Sequence, residues 1–317
     1  ILLDGTRAIG VEYRRRGFRN RVHADREVLL AGGAINSPQL MMLSGIGPAE
    51  SLRQVDVRVV HELGGVGRNL QDHLDVMTLT RCSQPVTYDH LNELAVGLRY
   101  YLRHEGIGTS NIAEAGGFIA SSRSEGSRPD IQMHFVPALL DDHGRNRLPG
   151  DGYTLHACNL RPESRGHLQL KSDNPADAPA IYANYLSEPE DVEMMLECIR
   201  VSRDILAQPA FRPFRAHEIH PGNDVTDREG LLGFIRAKAE SIYHPVGTCR
   251  MGSDDDAVVD PELRVRGIDG LRVIDASVMP TLIGGNTNAP TIMIGEKAAD
   301  LMLGNAASVR RDMAEAA

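Results

Sequence analysis

The run Ser241-Ile242-Tyr243-His244-Pro245-Val246-Gly247-Thr248-Cys249-Arg250-Met251-Gly252 carries the residue best suited to move a proton. Pro245 disfavours helix at the residue before it and holds His244 extended. Gly247 and Gly252 punctuate the stretch as loop rather than long strand. The imidazole therefore sits on a stiff, non-helical segment, and its ordinary pKa lies near neutrality. A histidine fixed in this way is a natural general base. The chain has twelve histidines, and a buried loop histidine satisfied by hydrogen bonds is the competing reading.

A second stretch favours the chemical reading. In Gly284-Gly285-Asn286-Thr287-Asn288-Ala289-Pro290-Thr291-Ile292-Met293-Ile294, glycines and asparagines make a loop ahead of an apolar run. Asn288 is expected at the helix N-cap, with Pro290 tolerated in the first turn. Ile292, Met293 and Ile294 are expected to start a buried helix reaching about Leu303. A helix N-terminus offers free N–H groups and partial positive charge, which suits an anion. Ahead of this loop, Leu271 to Ile274 reads as a buried strand ending in the carboxylate of Asp275.

Further stretches lie upstream in the same chain. Gly33-Ala34-Ile35-Asn36-Ser37-Pro38-Gln39-Leu40 to Gly47 follows an apolar strand, Glu27 to Ala31. Strand, glycine and helix in that order bring backbone close to a nucleotide cofactor. Ser37 is expected to cap a helix from Pro38 to Leu43. Together with Gly65-Val66-Gly67-Arg68-Asn69-Leu70-Gln71-Asp72-His73 and Arg161-Pro162-Glu163-Ser164-Arg165-Gly166, these segments occur in family order. They resemble the C-terminal part of a glucose–methanol–choline (GMC) flavoprotein oxidoreductase, over about residues 1 to 303.

The resemblance implies an α/β plus α+β chain: part of a FAD/NAD(P)-binding Rossmann-like domain, and a substrate domain whose antiparallel sheet is backed by helices. It implies FAD as cofactor, contacted by Ala31, Gly32, Tyr243, Asp275, Ala276, Asn288 and Thr291. It implies oxidation of an alcohol to an aldehyde or ketone. His244 would take the hydroxyl proton as hydride leaves carbon for flavin N5, and Asn288 would donate to the developing alkoxide. The implied partners are a small-molecule alcohol and a quinone or other electron acceptor. The implied location is the cytoplasm or the periphery of the inner membrane. Choline dehydrogenase or oxidase chemistry is the runner-up. Behind it stand a flavin-containing lyase on the same fold and an inactive fragment acting only as an interaction domain. A choline site wants an acidic or aromatic cage, and the chain has no Trp.

The net charge is −9, and Arg14-Arg15-Arg16 and Arg310-Arg311 are the only basic clusters, which argues against nucleic-acid binding. The four cysteines are scattered without a CxxC pair, so neither a zinc site nor a disulfide framework follows. No run of about eighteen apolar residues suggests a membrane span. The strand–GxGxxG–helix that seats a dinucleotide is not found. Gly65-Val66-Gly67 lacks a third glycine, and Gly45-Ile46-Gly47 and Gly106-Ile107-Gly108 follow helices rather than strands. The expectation is therefore a piece lacking the N-terminal segment of the same protein.

The elements expected to position these residues fall into four blocks. Residues 1–73 form part of the FAD-binding domain, opening on a strand meander across a Gly17 turn. Residues 74–240 form the substrate domain. It has an amphipathic helix from Asn92 to Glu105 with Leu94, Leu98, Tyr101 and Leu102 on one face. Its strands carry His134, His156 and Asn159, and capping boxes are expected at Ser187–Glu190 and Thr226–Glu229. Residues 241–303 return to the FAD-binding domain with the catalytic groups, and 304–317 form a tail.

Overall fold

The computed structural model describes residues 1–124 and 126–304. The expected tail, apart from Gly304, lies outside the described residues. The chain divides into two compact units. The first comprises Ile1–Asp72, Ser164–Tyr185 and the chain from His244; the second comprises His73–Glu163 and Leu186–Tyr243.

The first unit opens on the expected meander. Arg7–Arg15 and Phe18–His23 pair antiparallel around Gly17, whose φ of +85° lies in the region glycine enters without penalty. The strand Val28–Leu30 then lies parallel to Leu271–Val273, with Val28 opposite Leu271 and Leu30 opposite Val273. An apolar run such as Glu27 to Ala31 suits a strand buried on both faces. Instead Val28 and Leu30 turn inward while Leu29 is 40% exposed, because a two-stranded pair presents only alternate side chains to one core. That core gathers Met41, Met42, Ile46, Leu52, Val66, Val259 and Val273. Burying each such side chain contributes about 1.5–3 kcal/mol.

The helix after this strand runs Gly33–Leu43, with Pro38 inside it. The expected start at Pro38 is therefore corrected: Gly32 is the N-cap, and Ser37 does not cap. Its hydroxyl accepts from the Gly32 N–H at 2.9 Å and donates to Asp275 at 2.5 Å. The strand His167–Gln169, inside the block 74–240 expected as the substrate domain, belongs to the first unit and pairs with Ala180–Tyr182.

The second unit is built on an antiparallel sheet. Its order is Arg215–His220, Leu74–Cys82, Gly152–Asn159, Ile131–Val136 and Ala115–Ile119, and Glu240–Ser241 pairs with the start of Leu74–Cys82. The helices Pro189–Leu206 and Arg228–Lys238 pack Met195, Cys198, Ile199 and Ile235 onto Ile131, Leu155 and Ala157. This is the helix-backed antiparallel sheet that was expected. The caps differ in detail. Glu188 precedes the first helix without a side-chain cap bond, and Pro189 takes its first position. Asp227, not Thr226, caps the second by accepting from the Gly230 N–H at 2.9 Å. The helix Glu93–Arg103 forms, capped by Asn92. Its apolar side chains stay uncovered, with Leu94 86% and Tyr101 79% exposed. Periodicity announced the helix but did not say what would cover it. No helix among the described residues is long and apolar enough to cross a membrane.

Candidate active site

His244 opens the last segment of the first unit and is buried, with 8% exposure. The segment Asn69–Asp72 fixes the backbone around it. The Asp72 carboxylate accepts from the His244 N–H at 2.9 Å and from Tyr185 Oη at 2.5 Å. One residue along, Gln71 and Val246 exchange both backbone bonds, at 3.1 and 2.9 Å. Asn69 Nδ2 donates to the Gly247 carbonyl at 3.1 Å and to the Pro280 carbonyl at 3.2 Å. Gln71 reaches the same turn: Nε2 donates to Pro280 O at 3.1 Å, and Oε1 accepts from the Leu282 N–H at 3.1 Å. Gly247 has φ +91°, and a Cβ there would lie 2.5 Å from the Asn69 carbonyl. Only glycine allows this approach.

Sequence reading gave the Asn69–Asp72 stretch a family likeness and no task. Its signal was a carboxylate and two amides in four residues, the chemistry that clamps backbone polar groups. Which loop they clamp depends on contacts between segments far apart in the chain.

Asp275 is buried at 4% exposure, and all its bonding capacity goes to the protein. Oδ2 accepts from the Gly33 N–H at 2.9 Å and from Ser37 Oγ at 2.5 Å. Oδ1 accepts from the Ser277 N–H at 2.8 Å and from Ser277 Oγ at 2.5 Å. Its carboxylate thus ties the end of one parallel strand to the helix that follows the other. Gly32 is joined to it through Ser37. Ala276, the next residue, accepts from the Gly247 N–H at 3.3 Å. Gly32, Asp275, Ala276 and the His244 loop therefore form one hydrogen-bonded network.

The remaining residues singled out from sequence are placed differently. Ala31 and Gly32 are exposed at the end of the strand Val28–Leu30. The last helix runs Asn288–Leu303 with Thr287 as N-cap, so Asn288 is its first residue and not its cap. Thr287 makes no side-chain cap bond. Asn288 is exposed, and Thr291 turns its hydroxyl back to the Thr287 carbonyl at 2.7 Å. Ile292 and Met293, expected buried, are 58% and 57% exposed. Ala298 is the residue of this helix that is buried. Tyr243 belongs to the second unit, where it is 69% exposed and its Oη lies 2.7 Å from His143 Nδ1.

FAD can be tested against these groups. Thr287 makes no side-chain cap bond at this helix start, so the N–H groups of Asn288 and Ala289 receive no cap from it. A flavin carrying negative charge at one ring edge matches that donor set. Exposed backbone at Ala31 and Gly32 adds a surface without bulky side chains. The residues present fit the flavin end of the cofactor.

Comparison with known proteins bears on the family. Family models described as GMC oxidoreductase match residues 1–75 and 162–295. Mouse mitochondrial choline dehydrogenase is 49% identical over 313 residues, covering 97% of this chain and 52% of that protein. The alcohol dehydrogenase [acceptor] of Pseudomonas putida is 47% identical over 310 residues, covering 96% and 56%. This chain thus spans about half the length of the curated relatives it matches. Among solved structures, pyridoxine 4-oxidase from Mesorbium loti superposes with a TM-score of 0.82 at 30% identity, over 94% of this chain and 55% of that one. Aspergillus oryzae formate oxidase, studied for its FAD modification, superposes with a TM-score of 0.88 at 27% identity, over 95% and 58%. The two family models together match more than half of its residues, and the chain belongs to the GMC oxidoreductase family.

Proposed function

We propose that this chain is the part of a FAD-dependent alcohol dehydrogenase that carries the catalytic base. In this reading the first unit meets the flavin and the second is the substrate domain. The observation that carries it is His244: a buried imidazole, followed by proline, whose own backbone N–H is held by Asp72 at 2.9 Å. A base with this little freedom loses little entropy on reaching its working position. His244 takes the proton of the substrate hydroxyl. Asn288, exposed at a helix start where Thr287 makes no side-chain cap bond, donates to the same oxygen as negative charge grows on it. FAD, when bound, supplies the hydride acceptor. Asp275 acts at one remove, by holding the Gly33 turn and the Ala276 backbone in place. A quinone or other acceptor then takes the electrons.

The choline-oxidising alternative draws support from the mouse relative. A lyase on this fold is separated by one experiment. In the flavin-loaded full-length enzyme, an alcohol added without oxygen should bleach the flavin absorbance. His244→Ala should slow that bleaching by about 10² to 10⁴ while the flavin stays bound, as expected for loss of a general base. Absence of bleaching with every alcohol tried overturns the oxidoreductase reading.

A further inference from the structure

The second unit sets two carboxylates face to face. Glu240–Ser241 pairs antiparallel with the start of Leu74–Cys82, and Glu240 stands directly opposite Asp75. Side chains paired in this way share one face of the sheet about 5 Å apart, where like charges repel. Both are well covered: the Asp75 side chain is 3% exposed and that of Glu240 is 12% exposed. Carboxylates held this far from water need a counter-charge. Among the described residues no lysine or arginine bridges the two. Lys238 is committed to both oxygens of Asp141, at 2.8 Å each. His156 Nδ1 donates to Asp75 Oδ2 at 2.5 Å. The other oxygen, Asp75 Oδ1, is buried without a partner among the described residues.

A turn carrying metal-ligating groups faces Glu240. The His143 N–H donates to Glu240 Oε2 at 2.9 Å, and His143 Nδ1 lies 3.2 Å from the same oxygen. A carboxylate oxygen of Asp142 joins them, the three ligand atoms all lying within 4.8 Å of one another. Ligands at ordinary zinc distances in a tetrahedron stand about 3.3 Å apart, which is the spacing of Nδ1 and Oε2. The Asp142 side chain is 47% exposed and can rotate to close the remainder. One imidazole and two carboxylates form an N/O donor set that suits zinc. His143, Glu240 and Asp75 also line one pocket of about 210 Å³, and all of these residues belong to the second unit. Three protein ligands leave a fourth position for water. Asp75 Oδ1 is the acceptor in the same pocket for a hydrogen of that water.

We propose that Asp142, His143 and Glu240 bind one zinc ion, with a water in the fourth position donating to Asp75 Oδ1. The ion offsets the repulsion between Asp75 and Glu240 and ties the turn at 142–144 to the sheet. The site lies wholly within the second unit and is independent of the alcohol-oxidising reading.

The test titrates zinc chloride by calorimetry into the flavin-loaded full-length enzyme after treatment with a chelator. The wild type should bind one equivalent with micromolar or tighter affinity. Glu240→Gln keeps the size of the side chain and removes its charge. It and His143→Ala should each weaken binding by more than about 100-fold, beyond the roughly 10- to 100-fold loss typical of a residue standing behind a ligand. Asp75→Asn should fall within that smaller range. His23→Ala, at an exposed position of the first unit, should leave the affinity unchanged. Saturating zinc should also raise the urea midpoint of the wild type and not that of Glu240→Gln, because an ion stabilises the folded state only where it binds. No binding to the wild type overturns the proposal. So does binding that survives both Glu240→Gln and His143→Ala, which would place the zinc elsewhere on the chain.

Discussion

Asp72 grips His244 by the backbone and Tyr185 by the ring hydroxyl, accepting at 2.9 and 2.5 Å. One carboxylate thus ties the loop of the proposed base to the segment 164–185, so the position of His244 depends on residues far from it in the sequence.

Removing that acceptor should therefore damage catalysis without touching the imidazole. Asp72→Ala deprives the buried His244 N–H of its partner, at about 1–3 kcal/mol, and removes a bond from the Tyr185 hydroxyl, whose residue is 38% exposed. We expect kcat to fall tenfold or more, because small displacements of a catalytic group cost rate steeply. Tyr185→Phe keeps the His244 bond and should lose far less. Steady-state kinetics of the two variants, with flavin content as a control, check this; equal losses would remove Asp72 from its positioning role.

Asn288 is expected to act on the transition state rather than on substrate binding. Loss of one such donor costs on the order of 3 kcal/mol, or about a hundredfold in rate. Asn288→Ala should slow flavin reduction in rapid mixing by roughly that factor while KM changes little. Asn288→His, which restores a donor at the helix start, should recover part of the rate.

The Asp275 carboxylate serves stability. Its two oxygens accept four bonds from Gly33, Ser37 and Ser277. An amide can accept on one side only, so Asp275→Asn sets its NH₂ against protein donors. We expect a loss of about 2–4 kcal/mol, the range for buried groups left without partners, read as a lower urea midpoint with an unchanged slope.

Acid should act through Glu27 and Arg272. The Arg272 side chain is only 6% exposed. It donates to Glu27 through both Nε and Nη2, the latter at 3.1 Å. The hydrogen bond from Arg272 holds the Glu27 carboxyl below its ordinary value of 4.5. A carboxyl whose folded pKa is depressed stabilises the fold above its unfolded pKa and loses that contribution as pH falls through the folded value. The stability difference between the wild type and Glu27→Gln should thus be constant near neutrality. It should shrink once the pH drops below about 4.5. Denaturant unfolding across that range measures it; a difference that grows toward acid contradicts the pairing.

Local chemistry settled much of this protein from its residues alone. Proline after His244, the glycines at 32 and 33, and the alternation along Ile131–Val136 each act over a few residues, so loop, turn and strand were legible directly. The order of the family-like segments pointed to the family for the same reason, since each is a short local pattern. The sheet order was not legible, because pairing Gly152–Asn159 between Leu74–Cys82 and Ile131–Val136 depends on long-range packing. Nor was the bond that the Asp275 carboxylate accepts from Gly33, 242 positions away in the chain. Ser37 shifted from cap to bridge because Asp275 arrived beside it. Leu94, Ile292 and Met293 have the apolar character of core residues, yet they are exposed. Amphipathic pattern states which face seeks cover, and only the packing of distant segments decides whether cover is there. The Asp75–His156 pair shows the same division. His156 was expected on a strand and Asp75 was not singled out; the antiparallel register of Gly152–Asn159 on Leu74–Cys82 brought Asp75 Oδ2 to 2.5 Å from His156 Nδ1.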